Sequence, residues 1–151
     1  KGGKSKTSLS RLISALRLQH SSRLNYGGKG VEIKPAKWAD AVLRGRAGGY
    51  PSDIKMIYVV GHNILNQRQN VKKGIEAFKK VEFVVCQDLF INESGAYADV
   101  FLPATTFAEK DGTFTNTDRR VQRVRKAIEP RGNARPDWEI ISDLAKRIEK
   151  L

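Results

Sequence analysis

The chain has 151 residues, of which 40% are hydrophobic, and its formal net charge is +12 at pH 7. This length is sufficient for one domain with a hydrophobic core, and no run approaches the ~18 apolar residues that a membrane-spanning helix needs. One cysteine, Cys86, excludes an internal disulfide and a cysteine-rich metal or iron–sulfur site within the chain. Because the sequence begins at Lys1 rather than at Met, we expect it to be processed or part of a longer protein.

The positive charge is concentrated near the N-terminus. Residues 1–50 hold 11 of the 28 Lys and Arg residues but only 2 of the 16 Asp and Glu residues. We predict that residues 1–34 form a basic, partly disordered arm. Such an arm is typical of a nucleic-acid or polyanion partner, and it is equally typical of a solvated segment that contacts the rest of a larger protein.

Within this arm, five apolar residues have roughly helical spacing, and Ser8 is a candidate N-cap for the helix that they would form. These residues are Leu9, Leu12, Ile13, Leu16 and Leu18. The Gly-rich stretch Asn25–Lys34 reads as a linker. Pro35 then opens a predicted helix from Ala36 to about Arg46, which Gly48 and Gly49 end.

The pattern after Asp53 predicts a strand, a helix and a second strand. Met56–Val60 and Phe83–Cys86 are short continuous apolar runs, as expected for strands buried on both faces. Between them lies a predicted helix, Val71–Lys79, with Asn70 as its cap. A βαβ unit of this length predicts parallel strands joined by a right-handed crossover.

Five further segments complete the predicted fold. Residues Asn92–Tyr97 form a short turn or helix, and Asp99–Leu102 is a third strand. Residues 104–120 are expected to be a loop, and Val121–Ile128 an exposed strand with one buried face. Asp137 is expected to cap a final helix that runs to Leu151.

Together these elements predict an α/β domain over residues 35–151. Its architecture is an open, mostly parallel sheet with flanking helices, in three layers, as in dinucleotide-binding domains.

Polar residues follow the predicted parallel strands at the edge where such sheets bind ligands. Gly61 allows a ligand to approach the backbone closely, and Asn63 offers an amide. Asp88 offers two acceptors to a pair of N–H donors, such as the edge of a guanine or an amidine. The alternatives for Asp88 are a helix N-cap and a salt-bridge partner.

Other kinds of site are not indicated. The chain contains neither G-x-G-x-x-G after a strand nor G-x-x-x-x-G-K-[ST], so ordinary nicotinamide or P-loop binding is not expected. Cys86 lies inside an apolar run and is predicted to be an inert buried thiol. We predict no catalytic residue and no metal ligand within the chain.

Four stretches in order resemble one known family. They read VVGHN, VVCQDLFINES, YADVFLPATTFAEKDGTFTNTDRRVQRVRKAIEP and ARPDWEIISDLAKRI. This series resembles the molybdopterin oxidoreductases of the dimethyl sulfoxide reductase superfamily, and from Gln87 onward it is most similar to formate dehydrogenase catalytic subunits. The stretch KWADAVLRGRAGGYPSDIKMIYVVGHNILNQ is more similar to the dimethyl sulfoxide and thiosulfate or polysulfide reductases. The likeness covers about residues 36–151.

The resemblance implies a domain that holds the guanosine end of a molybdopterin guanine dinucleotide. Asp88 matches the family's aspartate that hydrogen-bonds guanine, and Gly61 and Asn63 match residues near the ribose and phosphate. The remaining matching positions are Gly112, Asn116, Arg120 and Gln122, and Asn92 stands at a further expected contact position where it can still hydrogen-bond. Departures occur at Ile64, where the family usually has Pro, and at Asn92, where it usually has Thr.

The resemblance also implies what lies outside the chain. The family's molybdenum or tungsten ligand and its iron–sulfur cysteines match no residue here, so we expect the metal to be held elsewhere and no cluster in this chain. The expected partners are the remaining domains or subunits of the oxidoreductase. The expected function is therefore cofactor binding without autonomous catalysis, with a basic polyanion-binding module or a ligand-free interaction domain as the alternatives.

Overall fold

The computed structural model describes Ile33, residues 35–67 and residues 70–149. The predicted N-terminal helix lies outside the described residues, as does the Gly-rich linker apart from Ile33. The described chain forms three α-helices, five β-strands and four short 3₁₀ turns. The helices and strands are α1 (Trp38–Arg44), β1 (Met56–Val60), α2 (Val71–Lys80), β2 (Phe83–Asp88), β3 (Val100–Pro103), β4 (Gly112–Thr115), β5 (Val121–Val124) and α3 (Asp137–Glu149).

Strands β1, β2 and β3 form a parallel sheet in that order, with β2 in the centre. The pairing aligns Val60 with Gln87 and Asp88 with Pro103, so the carboxyl ends of all three strands share one edge. The predicted α/β class with a parallel sheet is confirmed, and β2 is the strand that the uninterrupted apolar run Phe83–Cys86 indicated.

Alternating residues of β2 pack against opposite layers. Val84 and Cys86 lie in a core cluster with Phe78 of α2 and with the half-buried Trp38 of α1. Phe83 and Val85 lie in a second cluster that Leu144 of α3 covers. Because side chains alternate along a strand, helices cover both faces of the sheet, and the predicted three layers are present.

Helix α1 is shorter than predicted. It ends at Arg44 and not at Arg46 because Gly45 adopts a left-handed φ of 50° and donates its backbone N–H to Ala41. A Cβ at Gly45 would lie 1.9 Å from Oδ1 of Asp53, which accepts a hydrogen bond from the N–H of Arg46. The absence of a Cβ at Gly45 therefore leaves room for the Asp53 carboxylate, which holds the end of α1 next to the segment that leads into β1.

The N-terminal cap of α2 is confirmed. Asn70 has a left-handed φ of 62°, and its side-chain oxygen accepts the backbone N–H of Lys73 at 3.1 Å. This bond satisfies one of the otherwise unpaired N–H groups of the first helical turn.

Three local predictions are wrong. Residues 104–120 are not all loop, since Gly112–Thr115 forms β4 and pairs antiparallel with β5. Strand β5 ends at Val124 and has no buried residue, so the expected buried face of Val121–Ile128 is absent from the described structure. Asp137 is the first residue of α3 rather than its cap, because the carbonyl oxygen of Pro136 accepts the backbone N–H groups of Glu139 and Ile140.

Candidate functional site

Gly61 begins an open turn at the carboxyl end of β1. Its φ of 57° lies in the left-handed region, and its N–H donates to the carbonyl oxygen of Gln87 at 2.8 Å. A Cβ built at Gly61 would meet no atom within 4 Å, so the space above this backbone is open. The turn is therefore tied to the end of β2 and leaves room for a ligand to approach.

Asp88 ends β2 as a half-buried carboxylate with both oxygens oriented. Its Oδ1 accepts the N–H of Leu89 at 2.7 Å, and its Oδ2 accepts Nδ2 of Asn92 at 2.9 Å. Within the described residues it is neither a helix N-cap nor a member of an ion pair. A carboxylate has about four acceptor positions, so each oxygen keeps capacity for a further donor.

Asn92 positions Asp88. While its Nδ2 donates to that carboxylate, its Oδ1 accepts the N–H of Gly95 at 3.0 Å. Asn92, which stands where the family pattern of the sequence analysis usually has Thr, thus fixes both the carboxylate and the 3₁₀ turn Gly95–Tyr97.

Asn63 joins the turn after β1 to the segment after β2. Its Oδ1 accepts the hydroxyl of buried Ser94 at 2.8 Å, and its Nδ2 donates to Glu93. The Ser94 hydroxyl in turn accepts the N–H of Leu65 at 3.1 Å. A bond from the backbone of Glu93 itself, followed by the Asn63 bond, lowers the pKa of Glu93.

The other four predicted residues lie on the β4–β5 hairpin and are all exposed. They are Gly112, Asn116, Arg120 and Gln122. Asn116 closes the connection between the strands, because its Oδ1 accepts the N–H of Arg120 at 2.9 Å. Arg119 beside it has a left-handed φ of 60°.

The contacts that hold the hairpin run to the segment just before it. Phe107 and Phe114 meet edge to face, with ring centroids 5.8 Å apart. The N–H groups of Ala127 and Ile128 donate to the carbonyl oxygen of Ala108 at 2.8 and 3.1 Å. The structure therefore brings Gly61, Asn63, Asp88 and Asn92 together at the carboxyl edge, where each is hydrogen-bonded to the segments around it, and places the second four residues on a different element.

Gln87 was not among the predicted site residues, but both polar atoms of its side chain are hydrogen-bonded at this edge. Its side chain is completely buried, with Oε1 accepting the hydroxyl of Tyr58 and Nε2 donating to Oδ1 of Asp137 at 2.8 Å. Lys110 donates to the other oxygen of Asp137. A signal existed in the sequence, since an amide directly after four apolar residues of a two-faced buried strand requires buried partners.

These contacts perturb the ionisable groups of the cluster. Burial raises the pKa of Asp137, but bonds from Lys110 and Gln87 outweigh it and leave that pKa below its ordinary value. Burial, with the charge of Asp137, raises the pKa of Tyr58. The predicted burial of the Cys86 thiol is confirmed, and this burial raises its pKa to about 11, which disfavours the reactive thiolate.

Comparison with known proteins gives the family. The sequence profile of the family described as molybdopterin oxidoreductase matches residues 39–147. The chain belongs to the molybdopterin oxidoreductase family. The predicted family is therefore confirmed, and membership implies a molybdopterin cofactor.

Two formate dehydrogenase subunits are among the relatives of this chain. The alpha subunit of F420-dependent formate dehydrogenase from Methanocaldococcus jannaschii is 49% identical over 96 residues, which are 64% of this chain and 14% of the relative. The alpha subunit of F420-dependent formate dehydrogenase 2 from Methanococcus maripaludis is 45% identical over 101 residues, 65% of this chain and 15% of the relative. This molybdopterin oxidoreductase chain thus spans about one seventh of the length of these relatives.

A solved structure supports the fold. Acetylene hydratase from Pelobacter acetylenicus superimposes with a TM-score of 0.65 at 21% identity, covering 76% of this chain and 16% of that one. At this identity the match speaks for the shared α/β architecture alone.

Neither a metal site nor a membrane span is found in the described part of this molybdopterin oxidoreductase chain. Residues 35–67 and 70–149 contain no group of three or more His, Cys, Asp and Glu side chains that could hold a metal ion. No helix described in these ranges is long and apolar enough to cross a membrane.

The carboxyl edge offers a ligand two features. An oriented carboxylate with acceptor capacity beyond its two hydrogen bonds lies beside a glycine turn with open space above it. The described residues include no group that could hold the metal of a molybdopterin cofactor.

Proposed function

We propose that this chain binds the guanosine end of a molybdopterin guanine dinucleotide at the carboxyl edge of its parallel sheet. The observation that carries the proposal is the Asp88 carboxylate, which leaves the central strand oriented by Leu89 and Asn92. Guanine presents N1–H and N2–H₂ side by side, so the two carboxylate oxygens can accept both. Adenine presents an acceptor at N1, which the carboxylate would repel.

The surrounding residues support this orientation. The open turn at Gly61 gives the sugar access to the backbone, while Asn63 and Asn92 act by holding the two loops that flank Asp88. Exposed Arg120 on the hairpin supplies positive charge for phosphates or for a neighbouring domain. The pterin end would carry the molybdenum or tungsten at which redox chemistry occurs, and its ligands would come from the rest of the protein.

Titration of the 151-residue chain with GMP and GDP, followed by calorimetry and by ¹⁵N NMR, tests the proposal. We expect weak binding that perturbs the amides of Gly61 and Leu89, and weaker binding of AMP. Asp88→Asn replaces one acceptor by a donor facing guanine, and a lost base contact of ~1–3 kcal/mol lowers GMP affinity roughly 5- to 150-fold.

Glu76→Gln is the matched control, because it makes the same carboxylate-to-amide change on an exposed position of α2. It is expected to leave GMP affinity unchanged. Equal GMP affinity in wild type and Asp88→Asn, or no binding of GMP, GDP or the intact dinucleotide, would contradict the proposal.

The alternative is a polyanion-binding module. It is favoured by the excess of Lys and Arg in residues 1–50 and by exposed Arg119, Arg120 and Arg123 on the hairpin. Binding of a duplex DNA or RNA should then weaken steeply with salt and disappear when residues 1–34 are deleted. Binding that is insensitive to salt would exclude this alternative.

A further inference from the structure

The amide of Gln87 connects three elements just behind the proposed guanine site. Its oxygen accepts from Tyr58 of β1 and its nitrogen donates to Asp137 at the start of α3. Its backbone oxygen accepts the N–H of Gly61 at 2.8 Å. One completely buried residue therefore links strand β1 and helix α3 to the Gly61 turn.

We propose that Gln87 is a positioning residue that holds the carboxyl edge of the sheet in the arrangement the guanine site requires. This inference rests on the proposed function. Successive side chains of a strand point to opposite faces, so the Gln87 amide lies on the α3 face while Asp88 lies on the other. Gln87 thus acts on the site through the strand and the Gly61 turn, without touching the ligand.

The position requires an amide for a chemical reason. Tyr58 needs an acceptor and Asp137 needs a donor, and a glutamine side chain supplies both at once. An ionised glutamate has the same shape but no donor, and it would place its charge against that of Asp137. A leucine would leave the half-buried Tyr58 hydroxyl without its acceptor and would remove one of the two side-chain donors to Asp137.

The charged and titratable groups facing Gln87 are few among the described residues. Tyr58 approaches from β1, and Asp137 approaches from α3 with Lys110 on its other oxygen. The strand register places two apolar residues, Val60 and Leu102, directly beside Gln87.

Two variants, one that adds a negative charge at Gln87 and one that exchanges the side-chain types of Gln87 and Asp137, test the inference. In Gln87→Glu at pH 8, two carboxylates meet and the clamp that Gln87 forms with Tyr58 and Asp137 opens. We expect GMP affinity to fall at least tenfold, and hydrogen-exchange protection of the Gly61 and Leu89 amides to fall with it. At pH 5 a proton shared by the pair restores the donor, so both readouts recover toward wild type.

The double variant Gln87→Glu with Asp137→Asn reverses the two roles and keeps the total charge. The carboxylate introduced at position 87 then accepts from Tyr58 and from the new amide at position 137. We expect near wild-type GMP affinity and Gly61 protection at both pH values. A residue that only fills space would show neither the pH dependence of the single variant nor this rescue.

The outcomes separate the two proposals. If wild type binds no GMP, the proposed function fails, and protection of the Gly61 and Leu89 amides still tests the clamp. Wild-type protection of both amides in folded Gln87→Glu at pH 8 would overturn the inference, as would failure of the double variant to recover.

A milder variant covers the case in which Gln87→Glu does not fold. Tyr58→Phe removes one bond of the clamp and is expected to lower Gly61 protection severalfold with the sheet intact. Unchanged protection in Tyr58→Phe would also overturn the inference.

Discussion

The carboxyl edge of the sheet and the β4–β5 hairpin each carry four of the residues predicted to bind the cofactor, but the two regions are built differently. At the edge, the Asn92 side chain donates to Asp88, and the side chains of Asn63 and Asn92 hold the loops around that carboxylate. On the hairpin every residue from 111 to 123 is exposed, and the Asn116 side chain bonds only to the backbone of its own turn.

This difference shows which half of the site the chain can shape alone. The edge rests on a sheet with helices on both faces, and buried Gln87 and Ser94 support it from within. A two-stranded hairpin is marginally stable without a surface to pack on, and Phe114 and Val121 remain 50% and 65% exposed. We therefore expect the edge to bind its ligand group in the isolated chain and the hairpin to contribute only when further protein covers it.

Removing one amide from each region gives the largest expected contrast. Gln87→Leu removes its hydrogen bonds to the half-buried Tyr58 hydroxyl and Asp137 carboxylate, while Lys110 still donates to that carboxylate. At ~0.5–1.5 kcal/mol for each lost bond, the free energy of unfolding in urea should fall by about 2 kcal/mol. Gln122→Leu makes the same change on the exposed hairpin and should stay within about 0.5 kcal/mol of wild type. Similar losses for the two variants would refute the contrast.

The acid dependence of stability gives an intermediate effect. The folded-state pKa of Asp137 is lowered below its ordinary value, so its ion pair stabilises the fold above about pH 4. That stabilisation is lost as the pH falls through the folded-state pKa. Asp137→Asn should therefore be less stable than wild type at pH 6, and the difference should shrink below pH 4.

The difference between the two curves is the quantity to measure. Asp40, through its bond from Lys73, and Asp143, through its bond from Arg135, also have lowered pKa values, so the wild-type curve alone mixes several groups. If the difference in free energy of unfolding between wild type and Asp137→Asn is the same at pH 6 and pH 3, Asp137 does not contribute to the acid dependence of stability.

The same contrast explains how far the sequence predicts the molecule. Hydrophobic pattern was sufficient for β1, α2 and β2, because each buries an apolar run or face whose period is local. It failed for β4, since Gly112–Thr115 is exposed and becomes a strand only by pairing with β5. Gly61, Asn63 and Asp88 were predicted from their positions after the strands, and Asn92 from the family resemblance alone. The partners of Gln87 lie 29 and 50 residues away, and no local pattern marks them.

Substitution of Thr105 has the smallest expected effect on stability, and it tests whether a buried hydroxyl contributes without a hydrogen bond. It follows β3 at the carboxyl edge, and its hydroxyl is the buried side-chain group without a hydrogen-bond partner among the described residues. Thr105→Val removes a desolvated group that makes no bond, so stability should change by less than about 0.5 kcal/mol or rise slightly. Thr106→Val is the matched control, because it breaks the capping box with Glu109 and should cost about 1 kcal/mol. A loss at Thr105 as large as that at Thr106 would mean that its hydroxyl has a partner.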